Sequence, residues 1–124
     1  MELAKNGMFH NIIEMNKGCC YFNSKDEWIM LEKEMAKQLG PDTYIKQQLS
    51  IINRPNYSEL IKNIKAKTLI ISGKNDQILP YHDSIFMFEQ IPQSSLILLE
   101  ECGHLSTLEK GEFVLNSIHE FLQI

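Results

Sequence analysis

The sequence predicts an α/β fold in two stretches. A helical segment covers residues 1–64, and a β-α-β-α portion with two parallel strands covers residues 65–124. Apolar residues recur at helical spacing up to about Ile64. After it, two short apolar runs rich in β-branched residues, Thr68–Gly73 and Ser95–Leu99, alternate with helical patterns. The composition, 44% hydrophobic and 23% charged over 124 residues, suits one domain with one core. No internal repeat, low-complexity tract or long linker interrupts the chain.

The first helix is expected from about Glu2 to Lys17, with Gly18 as its stop. A second begins at Ser24, which forms a capping box with Glu27. Trp28, Leu31, Met35 and Leu39 then share one helical face. Gly40-Pro41 ends that helix and opens a third, whose stripe is Ile45, Leu49 and Ile52. Asn53-Arg54-Pro55 stops it, and Asn56 with Glu59 caps a short fourth helix through Lys62. Met8, Met15, Met30 and Met35 read as core filling, or as lining of an apolar pocket.

Thr68–Gly73 reads as a strand buried on both faces, as parallel sheets require. A polar loop runs from Lys74 to Pro80. Tyr81, Ile85, Phe88 and Ile91 mark a helix ended by Pro92. Ser95–Leu99 is the second buried strand, and Cys102–Thr107 the loop after it. Val114, Ile118, Phe121 and Leu122 mark a closing helix. Short strands separated by a helix form a βαβ unit with parallel pairing.

Charge and composition exclude several functions. Net charge is −4, with acidic and basic residues interspersed, which argues against nucleic acid or an anionic membrane surface as partner. No apolar run is long enough to span a bilayer, and Glu2 stands where a signal peptide would be apolar or basic. Three cysteines, Cys19 and Cys20 adjacent, make a poor disulfide framework. A reducing cytoplasm is their simplest setting.

In open parallel sheets, ligands sit beyond the carboxyl ends of the strands. The two loops that leave such ends each supply one residue suited to acid–base work, Asp76 and His104. A carboxylate bonded to one imidazole nitrogen fixes the tautomer and stabilises the imidazolium formed when the other nitrogen takes a proton. Alone, Asp76 would read as a turn residue and His104 as a turn histidine. His10, His82 and His119 lie in helical stretches and read as surface residues. Cys102 and His104 lack companions at metal-ligand spacing, so no metal and no cofactor is implied. Cys19-Cys20 reads as packing, and Ser106 as structural.

Residues 68–76, Thr-Leu-Ile-Ile-Ser-Gly-Lys-Asn-Asp, resemble the acid-bearing strand and loop of α/β-hydrolases. Residues 101–109, Glu-Cys-Gly-His-Leu-Ser-Thr-Leu-Glu, resemble that family's histidine loop, and the acid-before-histidine order fits. Tyr44 through Pro55 resembles the helical cap of small esterase- and lactonase-like members. By this resemblance the chain is a partial α/β-hydrolase fold, with a cap-like segment 1–64 followed by the C-terminal portion of the core. Ala66-Lys67 stands where relatives often have Cys-Pro, and Gly111 where a proline is common.

The resemblance implies hydrolysis of an ester, lactone or related carbonyl. Asp76 and His104 would be its catalytic acid and base, and Arg54 would bind a substrate carboxylate or tie the cap to the body. No Gly-x-Ser-x-Gly is present, so the nucleophile and the oxyanion loop are missing from these residues. The expectation is a truncated product, a half that pairs with an N-terminal hydrolase half, or a cut piece, inactive alone. The alternative is a non-catalytic module that associates with itself, or a decayed reading frame. The edge of the Thr68 strand, or the apolar face beside it, is the expected contact for self-association.

Overall fold

The computed structural model describes residues 7–16 and 18–123. It divides into two compact units. One holds the described residues through Gly18 together with Lys25–Asn56; the other holds Cys19–Ser24 and Tyr57–Ile124.

The first unit is helical. Helix α1 spans Phe9–Asn16, later than the pattern suggested, and the expected stretches Glu2–Asn6 and Lys17 fall outside the described residues. Gly7 stands just before α1 with φ +76°, a left-handed conformation that no helix interior accommodates. Helix α2 spans Asp26–Ile52 with a kink. Gly40 has φ 74° and ψ 165°, and Pro41 supplies no amide to the ladder, so the predicted break is present as a bend within one run. The helix stops at Asn53, whose backbone N–H bonds back to Leu49 O at 3.0 Å.

The Ser24 capping box does not form. The cap position is Lys25, without a side-chain cap bond, and Asp26 and Glu27 stand in the first turn instead. The cause lies upstream: the Phe22 and Asn23 amides are taken by Glu109, which commits the chain before Lys25 to the other unit. The methionines do not fill a core either. Met15 is 75% exposed, Met30 69% and Met35 60%. Ile12 is the buried residue of α1, and every residue of α2 remains at least partly exposed.

The second unit carries the sheet. The predicted fourth helix is shorter than expected: Leu60 and Asn63 donate to carbonyls three residues back, and a 3₁₀ turn covers Ile61–Asn63. Strand β1 spans Thr68–Gly73 and pairs in parallel with β2, Ser94–Leu99, from Thr68 opposite Ser94 to Gly73 opposite Leu99. Helix α3, Tyr81–Gln90, connects them and packs on both. A short α4, Ser106–Glu109, begins within the stretch read as loop and runs two residues past it, and α5 spans Gly111–Leu122.

The strands are less buried than a parallel sheet predicts. Ile70, Gly73 and Leu99 are buried, most other positions are half-buried, and Ser95 is exposed. A sheet of two strands has too little cover for both faces of each. Its core gathers Leu99, Cys102 and Val114, with Ile71 and Ile97 packed against them. Leu99 is the last residue of β2 and Cys102 opens the next loop, so this core sits under the carboxyl end of the sheet.

Candidate active site: an acid–histidine pair at the carboxyl end of the sheet

Parallel strands place the loops that follow them on the same side. The loop after β1 is tied to the loop after β2 by backbone bonds from Lys74 N to Leu99 O and from Asn75 N to Cys102 O, each 2.9 Å. Gly73 permits this approach. A Cβ at that position would run into the carbonyl oxygens of Cys102 and Gly103, both backbone atoms with little room to yield.

Asp76 uses its two oxygens for two tasks. Oδ1 accepts the backbone N–H of Ile78 at 2.8 Å and of Leu79 at 3.0 Å, an arrangement that shapes its own loop. Oδ2 lies 2.8 Å from His104 Nδ1. The turn-residue reading and the acid reading are therefore both satisfied, one by each oxygen. The Asp76 side chain is 8% exposed and that of His104 33%, so the pair is sheltered on the acid side and open on the base side.

Burial pushes the Asp76 carboxyl up, but the Leu79 amide, His104 and the Ile78 amide together outweigh it and hold the acid below the ordinary carboxylate range. An ionised carboxylate only accepts hydrogen bonds, so Nδ1 of His104 must carry the proton. In the neutral imidazole this leaves Nε2 as the bare nitrogen. Nε2 has no hydrogen-bond partner among the described residues. The arrangement is a base with its tautomer fixed and its lone pair unspent.

The His104 backbone is fixed as firmly. His104 N donates to Cys20 O at 2.7 Å, and Leu105 N to the same oxygen at 3.1 Å. Gly103 lies so close to this strip that a Cβ would meet Cys20 O at 2.7 Å and Phe22 N at 2.8 Å. Glu109 binds both sides: Oε2 accepts Gly103 N at 2.6 Å, and Oε1 accepts Phe22 N at 2.9 Å and Asn23 N at 3.0 Å. Within residues 101–109, no task for Glu109 in this site is legible from sequence alone. Its spacing from Ser106 suggests a capping box, whereas its partners across the chain carry no local signal.

Of the other residues weighed from sequence, His10, His82 and His119 are exposed as expected, and His82 lies against the Tyr81 ring at 4.1 Å. Ser106 opens α4. Burial, then Glu109, pushes the Cys102 thiol up, and its side chain is fully buried. Arg54 belongs to the other unit and is exposed, without an ion pair among the described residues. No cluster of three potential metal ligands occurs among the described residues, and no helix among them is long and apolar enough to cross a membrane.

Known proteins resemble this chain in sequence and in fold. A family model described as alpha/beta hydrolase fold matches residues 8–111. A monoacylglycerol lipase from Mus musculus is 34% identical over 113 residues, covering 88% of this chain and 34% of the lipase. A 2-hydroxy-6-oxononadienedioate/2-hydroxy-6-oxononatrienedioate hydrolase from Pseudomonas putida is 33% identical over 69 residues, 56% of this chain and 24% of that protein. Among solved structures, a thermophilic esterase from Thermogutta terrifontis superposes with TM-score 0.87 at 25% identity, covering 98% of this chain and 47% of the esterase. The chain thus spans a quarter to a third of the length of these two curated relatives. With its parallel β-α-β-α order and the matched model over most of its length, the chain belongs to the alpha/beta hydrolase fold family.

Proposed function

We propose that this chain supplies the acid and base of a carbonyl hydrolase, with Asp76 orienting His104 and the nucleophile coming from outside these 124 residues. One observation carries the reading: the 2.8 Å contact from Asp76 to Nδ1, which leaves Nε2 without a partner among the described residues. In this mechanism Nε2 takes the proton of an attacking serine hydroxyl and returns it to the leaving group. Asp76 stabilises the imidazolium between the two steps. The related lipase and esterase support an ester, lactone or similar carbonyl as substrate. The exposed guanidinium of Arg54 is available for a substrate carboxylate. The cysteines suit a reducing cytoplasm.

The 124 residues alone lack an elbow serine and should not turn over short acyl esters. The test is hydrolysis by the chain alone and after mixing with a segment that carries Gly-x-Ser-x-Gly from a related hydrolase. Turnover should appear only in the mixture, disappear in His104→Ala and fall about 10⁴-fold in Asp76→Asn. Activity of the unmixed chain that His104→Ala abolishes would reject the external nucleophile and make Ser106 and Ser72 the first serines to replace.

A second reading is a non-catalytic module that associates with itself. Exposed apolar side chains favour it, among them Ile51 at 57%, Phe113 at 54% and Leu115 at 52%, as do the edges of a two-stranded sheet. Sedimentation at micromolar concentration tests the association, which a hydrolase half with an open sheet edge would share. A dimer or larger species supports association, whereas a monomer that unfolds cooperatively removes it.

A further inference from the structure

We propose that Glu109 is a positioning residue for His104, holding both the peptide that precedes the imidazole and the strip on which its backbone rests. The inference deepens the acid–base reading above and relies on it only for why the placement of His104 matters.

The bonds close a ring. Glu109 Oε2 holds Gly103 N at 2.6 Å, one residue before His104. His104 N and Leu105 N both donate to Cys20 O. Two and three residues beyond Cys20, the Phe22 and Asn23 amides return to Glu109 Oε1. A single carboxylate thus fixes the histidine loop directly and again through Cys19–Ser24. Hydrogen bonds to an ionised acceptor are about twice as strong as neutral ones, and these span 86 and 87 positions of sequence. Together with the backbone bonds from His104 N and Leu105 N to Cys20 O, they set the spacing of the loop and the strip. The direction of the His104 Cα–Cβ bond follows from that spacing, and the 2.8 Å contact with Asp76 requires it.

A residue that only stabilised the fold would change global stability and leave the imidazole in place. The test therefore reads the imidazole. It uses the full chain, ¹⁵N-labelled, as wild type, Glu109→Ala, Glu109→Gln and Glu112→Gln. The two readouts are hydrogen exchange at the Gly103 amide and the His104 Nδ1–H signal. In Glu109→Ala, Gly103 should exchange roughly ten- to hundredfold faster, as loss of a charge-assisted bond requires, and the Nδ1–H signal should broaden or vanish. The amides of Ile70 and Ile97 report that the sheet persists. If Glu109→Ala loses the sheet, Glu109→Gln decides: its amide cannot accept from all three backbone donors, so both readouts should move in the same sense by a smaller factor. Glu112→Gln makes the same charge change at an exposed position and should leave both unchanged. Wild-type values for both readouts in Glu109→Gln, or equal changes in Glu112→Gln, overturn the proposal.

These outcomes are independent of turnover. A chain whose imidazole loosens in Glu109→Gln, but which hydrolyses nothing with any nucleophile segment, keeps the positioning role and loses the hydrolase reading. A mixture that hydrolyses esters while its imidazole ignores Glu109→Gln does the reverse.

Discussion

In the unit that holds the sheet, Leu99, Cys102 and Val114 pack together, and the loops above them are tied by backbone and carboxylate bonds. In the helical unit, the stripe of α2 stays at the surface, with Leu31 46%, Met35 60% and Leu49 43% exposed. Both units carry apolar residues at helical spacing, yet it is in the sheet unit that buried ones gather into a core among the described residues. Helical periodicity specifies a face, whereas burial needs a second layer for that face to meet. Stability should therefore concentrate in the sheet unit, near Asp76 and His104.

Substitutions can break this contrast. The largest loss belongs to Gly73→Ala, whose added methyl meets two backbone carbonyls that cannot swing away. A loss of about 4 kcal/mol is expected, read as a fall in the urea midpoint. Leu99→Ala, which opens a cavity in the core, should cost about 2–3 kcal/mol by the same measurement. A loss below 1 kcal/mol for either would mean that the loops or the core tolerate repacking.

Asp76→Asn should cost about 1.5–2 kcal/mol at neutral pH, because Asn replaces an ionised acceptor of three hydrogen bonds. The pH dependence sharpens this. The folded carboxyl lies below its ordinary value, so its contribution is fully present above about pH 3.9 and is lost as pH falls through the lower folded value. Acid titration of stability should show a component in the wild type that Asp76→Asn lacks. Parallel titrations of the two chains would argue that the acid makes no such bonds in solution.

The smallest effects belong to the helical unit. Gly40→Ala places a methyl in open space but keeps a backbone, φ 74° and ψ 165°, that is nearly exclusive to glycine; the exposed kink can relax part of the strain, so about 1 kcal/mol is expected, well short of Gly73→Ala. Leu49→Ala should stay within about 0.5 kcal/mol, because Leu49 is already 43% exposed. A cost at Leu49 that rivals Leu99→Ala would show that the α2 stripe is covered in solution, for which self-association is the immediate candidate.

The parallel strands, the helix between them and the two loops that bear Asp76 and His104 are legible in the sequence. Each of these rests on local information: β-branched runs, a change of period, and the glycine that ends the first strand. The bend at Gly40-Pro41 is legible too, since missing donors and φ preference act within a few residues. Where α2 starts, how far the strands are buried and what Glu109 does emerge when the chain is folded. The start of α2 depends on amides captured by a residue more than eighty positions away, which no capping motif encodes. Burial of the strands depends on how many layers surround them, a property of the assembled fold. Glu109 has the spacing of a local cap, yet its carboxylate is spent on backbone groups, and backbone donors are the same in every sequence until folding brings particular ones within reach.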